Sequence, residues 1–272
     1  MADTTYTTRT AQAPLAEAQD AQTPAVRGTV EAPAVRETAD GTAVRTVAEA
    51  GTLADLRVSP AAHLAEDMAA ASAAGGREVA LRELPFAVQL GLRAQSDTAS
   101  AHALEDVFGV PLPRRVGQVT GDEAGLHMLW LGPDEFLAVD VSRRQQPGET
   151  LIAEAGLDGL PGQAVDLSAN RTILQLSGSK AREVLEKSCR ADLHPRAFGV
   201  GTAIVTALGP VPVIIHHSSV LEYRIFPRAS FADFTVRWLL DGMAEFLDDV
   251  AAGVEEGIAA EGTGSEPGQM VI

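Results

Sequence analysis

Between Thr202 and Phe226 the chain reads TAIVTALGPVPVIIHHSSVLEYRIF. TAIVTAL, VPVIIHH and VLEYRIF are strand-length segments rich in branched and aromatic residues, so they predict three successive β-strands. Ahead of them, NRTILQLSG (Asn170 to Gly178) predicts a strand and Ser179 to Cys189 a helix. Behind them, Ala229 to Leu247 predicts a long helix, with Phe231, Phe234, Trp238, Leu239, Met243 and Phe246 as its buried stripe. The order of this half is β-α-β-β-β-α.

The preceding half repeats the order. Leu84, Phe86, Val88, Leu90 and Leu92 alternate with Pro85, Ala87, Gln89 and Gly91, the period-two pattern of a half-buried strand. A helix is predicted from about Asp97 to Phe108, with Ala101, Leu104, Val107 and Phe108 on one face and Gly109 as its stop. LHMLWL (Leu126 to Leu131) and EFLAVDV (Glu135 to Val141) flank Gly132-Pro133-Asp134 as a hairpin, and a short helix is expected at about Glu149 to Ala155. LEDVFGVPLPRRVGQVT, from Leu104, has an echo in LEKSCRADLHPRAFGVGTAIVT, from Leu185. These signals predict an α+β sandwich built from two related β-α-β-β-β-α halves.

Aromatic residues mark the edges of this body. Eleven of the twelve lie in residues 77–247, and only Tyr6 lies outside. Residues 1–58 read as a disordered low-complexity extension, in which Ala-Val-Arg recurs at Ala25, Ala34 and Ala43 with a nine-residue period. Units that short and that poor in large apolar residues do not stack into a solenoid core. Residues 59–76 predict a helix and linker, capped by Ser59, with Pro60 in the first turn and Gly75-Gly76 as the stop, packed on the domain or on a partner. Residues 248–272 carry six acidic and no basic side chains and read as a disordered acidic tail.

Of the formal charge of −16, about two thirds lies in the two ends. The middle is nearly balanced and shows no basic stripe, which argues against nucleic acid or an anionic membrane surface as partner. No apolar run approaches the roughly 18 residues of a membrane span, and the start of the chain, with Asp3 and five threonines in ten residues, lacks the pattern of a secretory signal. The expectation is a soluble, cytoplasmic protein. The lone Cys189 excludes an internal disulfide and a Cys-rich metal site within one chain.

Candidate chemistry is sparse. His216 and His217 end an apolar strand, with His194 nearby in sequence, but adjacent strand residues point to opposite faces and do not easily ligate one ion; one ring is expected in the sheet face and the other against solvent or a partner. Asp166 in VDLSANRT is placed to accept hydrogen bonds from the turn Ser168 to Arg171, with Arg171 as an ion-pair candidate. Ser177-Gly178-Ser179 reads as a helix cap and lacks the glycines of a phosphate loop. Cys189, near Lys187 and Arg190, reads as a packed or half-exposed structural thiol, and Ser218-Ser219 sit in no serine-nucleophile motif. No catalytic, cofactor-binding or metal-binding residue is assigned from these patterns.

WLGPDEFLAV (Trp130 to Val139), the segment Val165 to Gly201 and LEYRIFPRASFADFTVRWL (Leu221 to Leu239) together resemble the gamma subunit of heterotetrameric sarcosine oxidase, over about residues 77–247. More distantly, Asp166, Ser177-Gly178, Ala181, Leu185, Asp192 and Gly201 are similar in placement to the folate-binding domain of the glycine-cleavage T-protein. The chain departs from both relatives with known chemistry. It has no acid between Asp192 and Glu222, where T-protein-like enzymes place theirs, and only Lys187-Ser188-Cys189-Arg190 where tRNA-modification relatives carry a K-G-C-Y-x-G-Q-E motif.

The resemblance implies a folate-binding-domain-like fold and a non-catalytic role, with no active site in this chain alone. It implies a complex that oxidatively demethylates sarcosine to glycine with release of hydrogen peroxide and a one-carbon unit, as formaldehyde or on tetrahydrofolate. FAD, FMN, NAD, tetrahydrofolate and zinc are implied in the partner alpha, beta and delta subunits, and none in this chain. Two other readings remain open: a stand-alone T-protein-like one-carbon enzyme, which folate titration would detect, and a scaffold module of another complex, which co-purification would identify.

Overall fold

The computed structural model describes residues 56–146, 157 and 159–247. The predicted helix at Glu149 to Ala155 and most of the two terminal segments lie outside the described residues. The strands are β1 (Ala80–Glu83), β2 (Ala87–Arg93), β3 (Val119–Gly121), β4 (Leu126–Gly132), β5 (Glu135–Arg144), β6 (Gln163–Asp166), β7 (Leu174–Ser177), β8 (Thr202–Leu208), β9 (Val211–Ser219) and β10 (Glu222–Pro227). The helices are α1 (Ala65–Gly75), α2 (Ala99–Phe108), α3 (Ala181–Glu186) and α4 (Ala232–Met243). Two five-stranded sheets form, in the orders β1-β7-β10-β9-β8 and β3-β4-β5-β2-β6, with every pairing antiparallel.

The two halves exchange their leading strands. The expected single strand from Leu84 to Leu92 is broken at Pro85-Phe86, where Phe86 takes φ 61°. Before the break β1 joins the second half's sheet beside β7, and after it β2 joins the first half's sheet beside β5. The second half mirrors this: β6 pairs with β2 and β7 with β1. Each half thus carries one strand more than the sequence pattern suggests, lent to the other half's sheet. Nor is β2 half-buried: Val88, Leu90 and Leu92 pack under α2, while Ala87 and Gln89 face the opposing sheet.

The layers are therefore helix, sheet, sheet, helix. On the second half's sheet, α1, α3 and α4 cover the outer face, with Leu64, Met68, Leu176, Ile215, Ile225, Val236 and Leu239 in one core. On the other, α2 covers Leu90, Leu92, Met128 and Phe136. A thinner apolar cluster, including Leu129, Leu137, Ile214 and Phe226, lies between the sheets. At α2 the local signals act as expected: the Thr98 side chain accepts from the Ala101 amide, and Gly109 closes the helix in the left-handed region at φ 65°. Val107, expected on its buried face, is exposed.

Three further expectations change. The helix of residues 59–76 does pack on the domain, but Ser59 does not cap it; its hydroxyl donates to Glu83, which also accepts from the Ala61 amide. The helix predicted from Ser179 to Cys189 spans only Ala181–Glu186, and Lys180 occupies its N-cap without a side-chain cap bond, so Ser177-Gly178-Ser179 is not a cap. Gly178 is needed for another reason: at φ 114° a Cβ there would lie 2.2 Å from the Glu78 carbonyl oxygen, where the chain entering β1 crosses it.

The buried stripe of the last helix is the third. It consists of Ala232, Thr235, Val236, Leu239 and Met243, whereas Phe231, Phe234 and Trp238 are 40%, 41% and 39% exposed. Both sets fit a helical period, and the smaller residues face the sheet. Trp238 stacks on Phe234, covers Gly209 and donates to the Ser188 hydroxyl at 2.8 Å. Leu239→Ala should therefore cost about 2–5 kcal/mol, and Trp238→Ala clearly less, in urea unfolding of the isolated chain. An equal or reversed order would return the aromatics to the core.

Candidate functional site

Strand registers assemble a polar row across the inner face of the second half's sheet. Arg82 is opposite Gln175, Gln175 opposite Arg224, and Arg224 opposite His216. Side-chain bonds run along it: Arg82 donates to Gln175 Oε1 at 3.1 Å, and Gln175 Nε2 donates to Glu222 at 2.6 Å. In the facing sheet, His127 and Gln89 flank Val139 on β4 and β2. The two rows meet where His127 and His216 lie ring to ring, centroids 5.2 Å apart and both rings fully buried.

Around that contact, Arg224 donates to the Glu123 carbonyl at 2.7 Å and pairs with Glu222 at 3.2 Å. The Glu123 carboxylate, at the edge of the layer, stands 3.8 Å from His216 Nε2, close enough for attraction and too long for a hydrogen bond. Gly125 O accepts from His127 Nδ1 at 3.0 Å, which fixes that tautomer. Among the described residues, His127 Nε2, both His216 nitrogens and Arg224 Nε have no hydrogen-bond partner.

The electrostatics follow from enclosure. Burial, and then the neighbouring His216 ring, push His127 down to about 4. Burial also lowers His216, against the pull of Glu123, and the His216 ring holds the Glu123 carboxyl below its ordinary value. Both imidazoles are thus neutral at pH 7, in a layer that bulk water does not reach. In this state the pair has no open face for a substrate and acts between the sheets.

The residues singled out from sequence scatter. His216 and His217 do point to opposite faces, but both are buried: His217 is sandwiched between Tyr223 and Phe198 on the helix-covered face, at 4.3 and 5.8 Å. His194 is exposed on a loop. Asp166 accepts from the Ser168 amide at 2.8 Å and hydroxyl at 2.6 Å and from Gln145 Nε2 at 2.9 Å, the expected turn, while Arg171 donates to the Phe226 carbonyl instead of pairing with it. Cys189 is half-buried, bridging by its backbone to Leu208. Ser218 donates to Glu222 at 2.6 Å. Among the described residues no group of three or more His, Cys, Asp and Glu is placed to hold a metal ion, and no helix is long and apolar enough to cross a membrane.

His127, Glu123 and Arg224 were missed by sequence reasoning. The parity of LHMLWL, which puts His127 on the face opposite Met128, was a usable signal; its meeting with His216 was not.

Residues 93–245 match the family model described as "Sarcosine oxidase, gamma subunit family". The chain belongs to that family. It is 51% identical over 191 residues to sarcosine oxidase subunit gamma of Corynebacterium sp. (strain U-96), covering 70% of this chain and 92% of the relative. It is 49% identical over 197 residues to the corresponding subunit of Arthrobacter sp, covering 72% and 95%. Among solved structures it resembles a chain of heterotetrameric sarcosine oxidase from Corynebacterium sp. U-96 in complex with pyrrole 2-carboxylate, with TM-score 0.66 and 51% identity over 70% of this chain and 96% of that one. Glycine cleavage system aminomethyltransferase T from Bartonella henselae shares the fold, at TM-score 0.50 and 15% identity over 68% of this chain and 57% of that one.

The buried histidines of this family member set a pH dependence. An unfolded histidine takes up its proton near pH 6.5, whereas folded His127 resists until about 4. The unfolded state therefore binds more protons in that window. Stability is fully present above about pH 6.5 and falls on acidification, by up to about 1.4 kcal/mol per pH unit for one histidine. Urea unfolding between pH 7 and 5 should show this slope, and His127→Gln should flatten it; an unchanged slope would remove His127 as its source.

Proposed function

We propose that this chain is the non-catalytic gamma subunit of a heterotetrameric sarcosine oxidase. The observation that carries the reading is identity of about half to gamma subunits over 92–95% of their length. Residues 77–247 form its domain, led by the helix-bearing residues 59–76 and flanked by a low-complexity extension, 1–58, and an acidic tail, 248–272. The complex oxidatively demethylates sarcosine to glycine with hydrogen peroxide and a one-carbon unit, released as formaldehyde or taken up as methylene-tetrahydrofolate. It works in the cytoplasm, without nucleic acid or membrane as partner.

In this reading FAD, FMN, NAD, tetrahydrofolate and zinc sit in the alpha, beta and delta subunits, and no residue of this chain touches the reacting atoms. The titratable pair with the most altered environment supports that division of labour, because His127 and His216 are sealed between the sheets. A folate-dependent enzyme of the T-protein kind finds little support: the likeness to that protein is one of fold, and the stretch between Asp192 and Glu222 holds no carboxylate.

Expressed alone, the chain should be colourless and turn over no sarcosine. Expressed with the three presumed partners, it should co-purify at the mass of a heterotetramer with flavin absorbance and sarcosine-dependent peroxide release. A yellow, active preparation of this chain alone would sink the proposal, and so would failure to enter the complex.

A further inference from the structure

His127 and His216 touch, but their surroundings differ. The bond from His127 Nδ1–H to Gly125 O leaves its Nε2 as an acceptor, and among the described residues no donor reaches it. His216 has neither nitrogen bonded, and its Nε2 stands 3.8 Å from the Glu123 carboxylate. Glu123 belongs to the turn between β3 and β4, closed by bonds from the Gly125 amide to Asp122 O at 3.0 Å and from the Asp122 amide to Leu126 O at 2.9 Å. Its side chain is 32% exposed whereas both rings are sealed, so it links the pair to solvent.

The strands around the pair bring in little further charge. Arg224 lies opposite His216 on β10, with Glu222 as its partner at 3.2 Å. The other cross-strand neighbours are uncharged: Gly121 and Val139 flank His127, and Ala203 is opposite His216 on β8. Two imidazolium rings with centroids 5.2 Å apart in a dry layer, beside a guanidinium, repel strongly, so the layer accommodates one added proton and not two.

Glu123 decides which ring holds that proton. Burial opposes charge on both, but at His216 the attraction of Glu123 comes next, whereas at His127 it ranks last, behind the repulsion of His216 itself. Glu123 stays ionised in mild acid, because the His216 ring holds its carboxyl below the ordinary value.

We propose that His127 and His216 form an acid-operated latch between the sheets, in which one proton enters on His216 and its Nε2–H then donates to the Glu123 carboxylate, drawing the β3–β4 turn onto β9. The proton comes from solvent past Glu123 and adds to the lone pair of the neutral His216 ring; no bond to carbon, nitrogen or oxygen breaks, and Glu123 is the counter-charge. His127 stays neutral, with Nε2 as an acceptor beside the N–H groups of His216 and Arg224. The latch fastens the turn without strengthening the fold as a whole. Folded His216 still takes its proton less readily than an unfolded histidine, so global stability falls on acidification while the turn tightens. The device uses this chain's residues alone and stands whether or not the chain enters the proposed oxidase.

Nitrogen-15 NMR of the full-length chain, labelled on its histidine rings, assigned by through-bond correlation and titrated from pH 7.5 to 4.5, tests this. The His216 nitrogens should move to imidazolium shifts, while His127, which burial keeps uncharged to about pH 4, should retain the signature of a neutral Nδ1–H ring. Glu123→Gln should lower the His216 midpoint by about one pH unit; the variant should fold, since Arg224 holds the Glu123 main-chain carbonyl and not its carboxylate, and circular dichroism checks it. Amide hydrogen exchange gives a second readout: relative to its intrinsic rate, the Gly125 amide should be better protected at pH 5 than at pH 7 in the native chain and not in Glu123→Gln. His127 charging before or together with His216, both rings neutral down to pH 4.5, a His216 midpoint unmoved by Glu123→Gln, or no gain in protection of the turn at pH 5 would each overturn the proposal.

Discussion

The exchange of leading strands is the constraint on which the rest of the molecule depends. Because β1 and β2 are separated by three residues yet belong to different sheets, the chain has to turn between layers within Leu84-Pro85-Phe86. The return path is equally fixed: the Leu84 amide donates to Ile173 O at 2.8 Å, and Gly178 passes so near Glu78 that no side chain fits there. Neither half can complete its sheet without a strand from the other. At the far edge an isolated bridge, Gln118 to Thr202, and the bond from the Ala203 amide to Gly117 O join the sheets again. Two sheets tied at both sides form one folding unit rather than two tandem domains.

Once the sheets are tied, their inner faces have to match, and the polar row selects the register. In β9 and β10 the parity is strict: Ile215 and Ile225 face the helices, His216 and Arg224 face the other sheet. A one-residue slip would drive an arginine under α4 and leave isoleucines against His127. Polar groups between sheets are a costly way to achieve this, since several stay unpaired, and the thin apolar cluster there offsets little of that cost. The main apolar cores lie outside, under the helices, so the central layer is free to specify alignment while the outer layers hold the fold together.

Much of this was legible because strand signals are local. β4 and β5 announce themselves as apolar runs around a proline turn, and β8 to β10 as three runs in succession; the echo between the halves carried the duplication. The break at Pro85-Phe86 was hidden because Leu84, Phe86 and Val88 keep perfect alternation across it, so period alone continues a strand that the structure divides. On α4 the error came from weighing size over position. Phe231, Phe234 and Trp238 recur at helical spacing, and so do Ala232, Thr235, Val236 and Leu239; only the sheet beneath decides which stripe is inside. The pairing of His127 with His216, 89 positions apart, is a product of topology that no local pattern encodes.

The same topology explains why the chemistry of the chain lies where it does. A crossover between layers brings strand ends, turns and their unpaired polar groups to one place, and here it gathers Arg57 and Phe86 from before β2, Gln89 from β2, and Ser168 to Thr172 from between β6 and β7. The histidine layer, by contrast, is closed on both sides by continuous strands. The buried histidines in the middle of strands set register away from solvent, whereas the polar residues at the crossover, with Gln89 of β2 shared between the two, line a cavity. A fold of this kind therefore separates the two uses of buried polarity by position, alignment at the strand centres and access at the crossover.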